Sequence, residues 1–117
     1  MIRHEDLFAR GVVAMEHSEN TRAIELFREA VSVNERHHQS WGNLGACLLQ
    51  IGELDEGEQA LRQSLAIKPN YEFARFNLES LAEVRASGSA PQLPMLISNK
   101  PTFRQPGLRF REQNKSG

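Results

Sequence analysis

The stretch Trp41-Gly42-Asn43-Leu44-Gly45-Ala46-Cys47-Leu48-Leu49-Gln50-Ile51-Gly52 decides the fold. It runs on through a short acidic turn to Gly57-Glu58-Gln59-Ala60-Leu61 and Ile67-Lys68-Pro69. At about 100° per residue, Trp41, Leu44, Gly45, Leu48 and Ile51 share one face of a helix. Gly45 has no side chain, so a second helix can approach closely there. Gly57 offers the matching small surface on that second helix. Alanine is the better helix former, so Gly57→Ala should be neutral or stabilising. Pro69 cannot continue a helix and ends the unit. The stretch predicts a helix–turn–helix hairpin.

The same residue types recur 34 residues apart. Leu7 precedes Trp41 and Gly11 precedes Gly45. Ala23 precedes Gly57, Phe27 precedes Leu61, Ala30 precedes Ser64 and Val33 precedes Ile67. Tryptophan, Leu-Gly, a large apolar residue, a small one, a large one and proline, at this spacing, resemble the tetratricopeptide-repeat family. Leu48 and Leu61 stand where that family usually has aromatics, and Gly57 where it has alanine. The first repeat, residues 4–37, departs at Arg10, Ala14 and Glu35, as suits a terminal repeat. The second spans residues 38–71. Beyond Pro69 the register holds for one helix, but Glu79 falls where Gly45 stood. A carboxylate at a close-approach site implies that nothing approaches. Residues 70–86 therefore resemble the family's capping helix, with Asn70 placed to cap it.

The expected fold is all-α: antiparallel helix-hairpin repeats forming an α-solenoid, with an irregular proline-rich C-terminal tail. Helices are expected at about residues 3–16, 20–33, 38–51, 54–67 and 70–86. Residues 1–86 form the helical domain. Residues 87–117 hold four of the five prolines and read as extended and mobile. Charge divides at the same place. Residues 1–86 carry nine Lys or Arg and fourteen Asp or Glu, a net −5; residues 87–117 carry five and one, a net +4.

With 117 residues, 39% apolar and 25% charged, the chain is one small domain of ordinary composition. A net charge of −1 indicates no polyanionic partner by itself. One cysteine excludes an internal disulfide and fits a reducing, cytoplasmic setting. No apolar run approaches the roughly 18 residues of a membrane span, and the first twenty residues do not read as a signal peptide.

Nothing in the sequence reads as catalytic. There is no nucleophile–histidine–acid order, phosphate loop or paired-carboxylate motif, and no cofactor is expected. Cys47 has no ligand spacing to any histidine, so no metal site is expected. His4, His17, His37 and His38 read as surface residues. The cluster Glu53, Asp55, Glu56, Glu58 opens a helix, where carboxylates are favoured.

The resemblance implies a protein or peptide partner held on the concave face of the first helix of each repeat. On that face lie Phe8, Val12 and Met15, then Asn43, Ala46 and Leu49, then Phe73, Phe76 and Asn77. The groove would be apolar, with the asparagines gripping a peptide backbone. The bland reading is that these residues pack between helices. One subfamily, the co-chaperones, clamps a terminal carboxylate with lysine, arginine and asparagine. Only Asn43 matches. Phe8 and Val12 replace lysine and asparagine, and Phe73 and Asn77 replace lysine and arginine, so the clamp is set aside.

The tail carries its own candidate occupant in Leu93-Pro94-Met95-Leu96-Ile97, which could pack on the groove within the chain or across a homodimer. The competing class is binding of an anionic polymer or nucleic acid by Arg104, Arg109 and Arg111, interleaved with Phe103 and Phe110. A further alternative is that the chain is the interaction part of a larger enzyme.

Overall fold

Five α-helices follow one another in the computed structural model, which describes residues 2–87: α1 (His4–Glu16), α2 (Asn20–Val33), α3 (His38–Gln50), α4 (Leu54–Ile67) and α5 (Glu72–Ser87). Among the described residues there is no strand. The expectations for the tail, including docking of residues 93–97, lie outside the described residues.

The first residues of α1, α3 and α5 are 34 apart, as are those of α2 and α4. The period sets the turns too. Each hairpin turns through a left-handed residue, Ser18 at φ 61° and Gly52 at φ 91°. The N–H of Glu19 donates to Ala14 O at 2.8 Å and that of Ser18 to Met15 O at 2.9 Å. Glu53 and Gly52 repeat the pair on Leu48 O and Leu49 O, at 2.9 and 3.0 Å. This is the helix stop in which a left-handed residue lets two N–H groups satisfy the last carbonyls.

Helix starts depart from expectation at α5. Asn70 does not cap it; the helix begins at Glu72, and Tyr71 takes the register of Arg3 and His37. Tyr71 N–H donates to Lys68 O at 3.1 Å, as His37 N–H does to Asn34 O at 3.2 Å. The Tyr71 ring packs edge-on against His38 at 4.7 Å.

α3 is the centre of the stack, packed on α2 and α4, with lesser contacts to α1 and α5. It feeds two core clusters. Leu44, Cys47 and Leu48 join Phe8, Phe27 and Ala30. Ala46 and Leu49 join Leu61, Phe73 and Leu81. Every residue from 42 to 49 is therefore buried. Ile51, read as part of the core stripe, is exposed because it lies past the helix end. The α3–α4 crossing is as close as the glycines imply. A Cβ on Gly45 would lie 2.7 Å from Leu61 Cγ and 2.9 Å from the Gly57 carbonyl oxygen. A Cβ on Gly57 would lie 2.7 Å from Leu49 Cδ2. Leu49 is fully buried, so alanine is not free at Gly57, and the neutral-or-stabilising expectation is corrected.

Candidate partner-binding face

The nine residues expected to line a groove lie on α1, α3 and α5, and the structure buries eight of them. Phe8, Val12 and Met15 retain 6–8% exposure, Phe73 3%, and Asn43, Ala46, Leu49 and Asn77 at most 1%. Phe76 alone is open, at 40%. Phe8, Val12 and Met15 share a core cluster with Leu44, Cys47 and Leu48 of α3, and Phe73 shares one with Ala46 and Leu49. Phe8 packs on Phe27 and His37, with ring centroids 5.8 and 5.1 Å away. A Cβ at Gly42 would already meet the Tyr71 and Phe73 rings at 3.0 and 3.4 Å. The chain's own side chains fill most of the face.

Two of the buried residues do not fit a packing role. Asn43 is fully buried, and neither its Nδ2 nor its Oδ1 has a hydrogen-bond partner among the described residues. Asn77, one repeat later, donates from Nδ2 to Phe73 O at 3.2 Å, while its Oδ1 has no partner. A buried polar group left unpaired costs about 1–3 kcal/mol. Two such amides stand in the same register on successive first helices.

The histidines are not all surface residues. His17 is exposed, but His4, His37 and His38 are half-buried where α1 meets α3. His4 and His37 are edge-on at 4.8 Å, and His38 meets Tyr71. Asn34 Nδ2 donates to His4 Nε2 at 3.2 Å, and Ser40 Oγ lies 2.7 Å from His37 Nδ1. Burial lowers the pKa of His37, helped by His4 and His38. Burial, with Lys68 nearby, lowers that of His38. Sequence reading missed this file of rings. The signal was present in the register, since His4 precedes His38 and His37 precedes Tyr71 by one repeat.

The acidic cluster at the start of α4 holds neighbouring helices. Glu56 receives Arg28 of α2 at 2.7 Å. Asp55 and Glu58 receive Arg85 of α5 at 2.6 and 2.5 Å. Hydrogen bonds from Arg62 and Arg85 hold the Glu58 carboxyl below the usual range. Cys47 is fully buried, and burial pushes its thiol up to about 12, which leaves it an inert core residue at neutral pH. Among the described residues, no group of three or more His, Cys, Asp or Glu side chains is placed to hold a metal. No helix among them is long and apolar enough to cross a membrane.

The family model described as tetratricopeptide repeat matches residues 8–72. The chain is 35% identical over 68 residues to the peroxisomal targeting signal receptor of Kluyveromyces lactis, covering 58% of this chain and 12% of that one. It is 35% identical over 78 residues to the receptor of the same name from Yarrowia lipolytica, covering 66% of this chain and 13% of that one. The chain thus spans about an eighth of the length of the curated relatives it matches. No solved structure matches it.

Proposed function

The chain belongs to the tetratricopeptide-repeat family, and from that premise we propose that it is a non-enzymatic interaction module holding an extended peptide, or an extended segment of a partner protein, across α1, α3 and α5. The two hairpins and α5 act as one unit, α5 serving as its cap, in a cytoplasmic setting. One observation carries the reading: the unpaired amide of Asn43, repeated in part at Asn77. An extended peptide backbone offers a donor and an acceptor together, which is what an asparagine side chain needs; because Asn43 is fully buried, the incoming chain must displace the side chains that cover it. Exposed Phe76, beside Asn77, gives the incoming chain its first apolar contact. Phe8, Val12, Met15, Ala46, Leu49 and Phe73 form the apolar floor beneath it. The relatives are named as receptors for a targeting signal, which agrees with a peptide ligand. Because the chain covers so little of them, only peptide holding is carried over.

The test is an array of randomised extended peptides probed with the full chain. Wild type is expected to bind a subset. Asn43→Leu keeps the volume, removes the amide, and is expected to lose at least about tenfold in affinity, or about 1.4 kcal/mol. A wild type that binds no peptide contradicts the reading, as does an Asn43→Leu chain that binds the same peptides equally well.

A further inference from the structure

The two ends of the helical stack carry opposite surfaces. α1 and α2 enclose a cleft of about 280 Å³ lined by Arg10, Val13, Ala14, Glu19, Arg22 and Leu26. Arg10, Ala14 and Arg22 stand one repeat before Leu44, Leu48 and Glu56. In the second hairpin those three residues form the junction with the first. Leu44 and Leu48 pack in one cluster with Phe27 and Ala30 of α2, and Glu56 pairs with Arg28 of α2. The cleft therefore occupies the register of a hairpin–hairpin junction, and no helix of the described residues covers it.

Its chemistry is that junction with the sign reversed. At the internal junction the incoming helix brings a cation, Arg28, to a carboxylate. In the cleft the same position is Arg22, and Arg10 adds a second cation where Leu44 would be. Arg10 makes no ion pair among the described residues, Arg22 only a loose one with Glu25 at 3.8 Å, and Val13 is 52% exposed. Glu19 also lines the cleft and leaves it a net +1, so the best-matched helix sets carboxylates against Arg10 and Arg22 and brings an apolar contact.

α5 presents such a face at the other end. Glu72, Phe76, Glu79 and Glu83 lie within a sector of about 60°, all exposed. Glu79 and Glu83 make no ion pair among the described residues, while Glu72 meets Arg75 at 3.4 Å. α5 cannot reach the cleft of its own chain: α1 and α5 make no contact, and the stack is 46 Å long. Residues 88–117, with a net charge of +4, offer the two arginines fewer carboxylates than α5 does, Glu112 alone.

We propose that the α1–α2 cleft receives the open face of α5 from a second copy, Glu79 and Glu83 against Arg10 and Arg22 and Phe76 against Val13 and Leu26, so that docking and a peptide at Phe76 exclude one another. The contact is head to tail, so each copy keeps one free end and copies add in a row rather than closing into a dimer. Exposed ion pairs are individually weak and screened by salt, so the association is weak and salt-sensitive.

Sedimentation equilibrium of the full chain tests this. The average mass is expected to rise from micromolar to millimolar concentration and to fall on adding salt. Two surface variants, Glu79→Arg/Glu83→Arg and Arg10→Glu/Arg22→Glu, are each expected to stay monomeric, with unchanged circular dichroism. Their equimolar mixture is expected to associate again, because the reversed tail of one then fits the reversed head of the other. A wild type that stays monomeric at millimolar concentration overturns the proposal. So does association that persists in both variants, or a mixture that fails to restore it.

Discussion

The two hairpins share one pattern and differ in what surrounds them. α1 has a neighbouring hairpin on one side only, and its outer side is the Arg10–Arg22 cleft. α3 is enclosed by α2 and α4, with α1 and α5 adding lesser contacts. In the first hairpin, Gly11 sits against the Phe27 ring, with Ala23 in the register of Gly57. In the second, two glycines oppose each other, each close to the other's carbonyl oxygen. The same sequence motif therefore gives a one-sided helix at the end of the stack and a helix buried all round at its centre. Burial is a property of the place in the stack, which the motif alone does not encode.

The largest effect that could break this contrast is at the central crossing. Gly45→Leu places a side chain where even a Cβ lies 2.7 Å from Leu61. Overpacking costs about 1–3 kcal/mol or more, and in so small a core it is expected to abolish cooperative unfolding in urea. Trp41 reports on it, since its half-buried indole donates to Glu35 O at 2.8 Å. A folded Gly45→Leu chain with an unchanged midpoint would remove the close crossing.

Gly57→Ala comes next. The helix gains from losing a glycine, by about 0.8–1 kcal/mol. Against this, the new Cβ presses on buried Leu49 and lies 3.1 Å from the Gly45 carbonyl oxygen. Leu49 cannot yield without disturbing Phe73 and Leu61 in its cluster, so a net loss of about 1 kcal/mol is expected. A raised midpoint would show that α3 and α4 can separate slightly at no cost, and would weaken the contrast between the centre and the end.

A smaller effect lies at the junction of the hairpins. His37 and His38 have pKa values lowered below the ordinary 6.5 by burial. Near that pH the unfolded chain binds more protons than the folded one, so stability is full above about 6.5 and falls as pH drops below it. The urea midpoint is expected to fall between about pH 7.5 and 5.5, and less so in His37→Asn. A midpoint flat across that range would place these rings in solvent.

Much of the fold was legible because its signals are local and periodic. Gly45, Gly57, Pro69 and their counterparts fix helices and turns, and the boundaries agree to within one or two residues. The face proposed to bind was less legible. Helical periodicity assigned Ala46, Leu49 and Phe73 to an outer face, but whether that face is open depends on how α1 and α5 fold back on α3. The ion pairs of Arg28 and Arg85 join residues far apart in sequence, so no spacing announces them. Asn70 shows the converse failure, a sound local capping signal at a position two residues before the helix begins, in the turn that the 34-residue register repeats from residues 36–37.

The most direct test uses one substitution and two readings. If the Asn43 amide is kept for a ligand, removing it must move stability and binding in opposite directions. Asn43→Leu is expected to raise the urea midpoint, by up to about 1–3 kcal/mol in stability, while peptide affinity falls. An Asn43→Leu chain that is destabilised and still binds peptide would contradict the account, since the amide would then serve the fold rather than a partner.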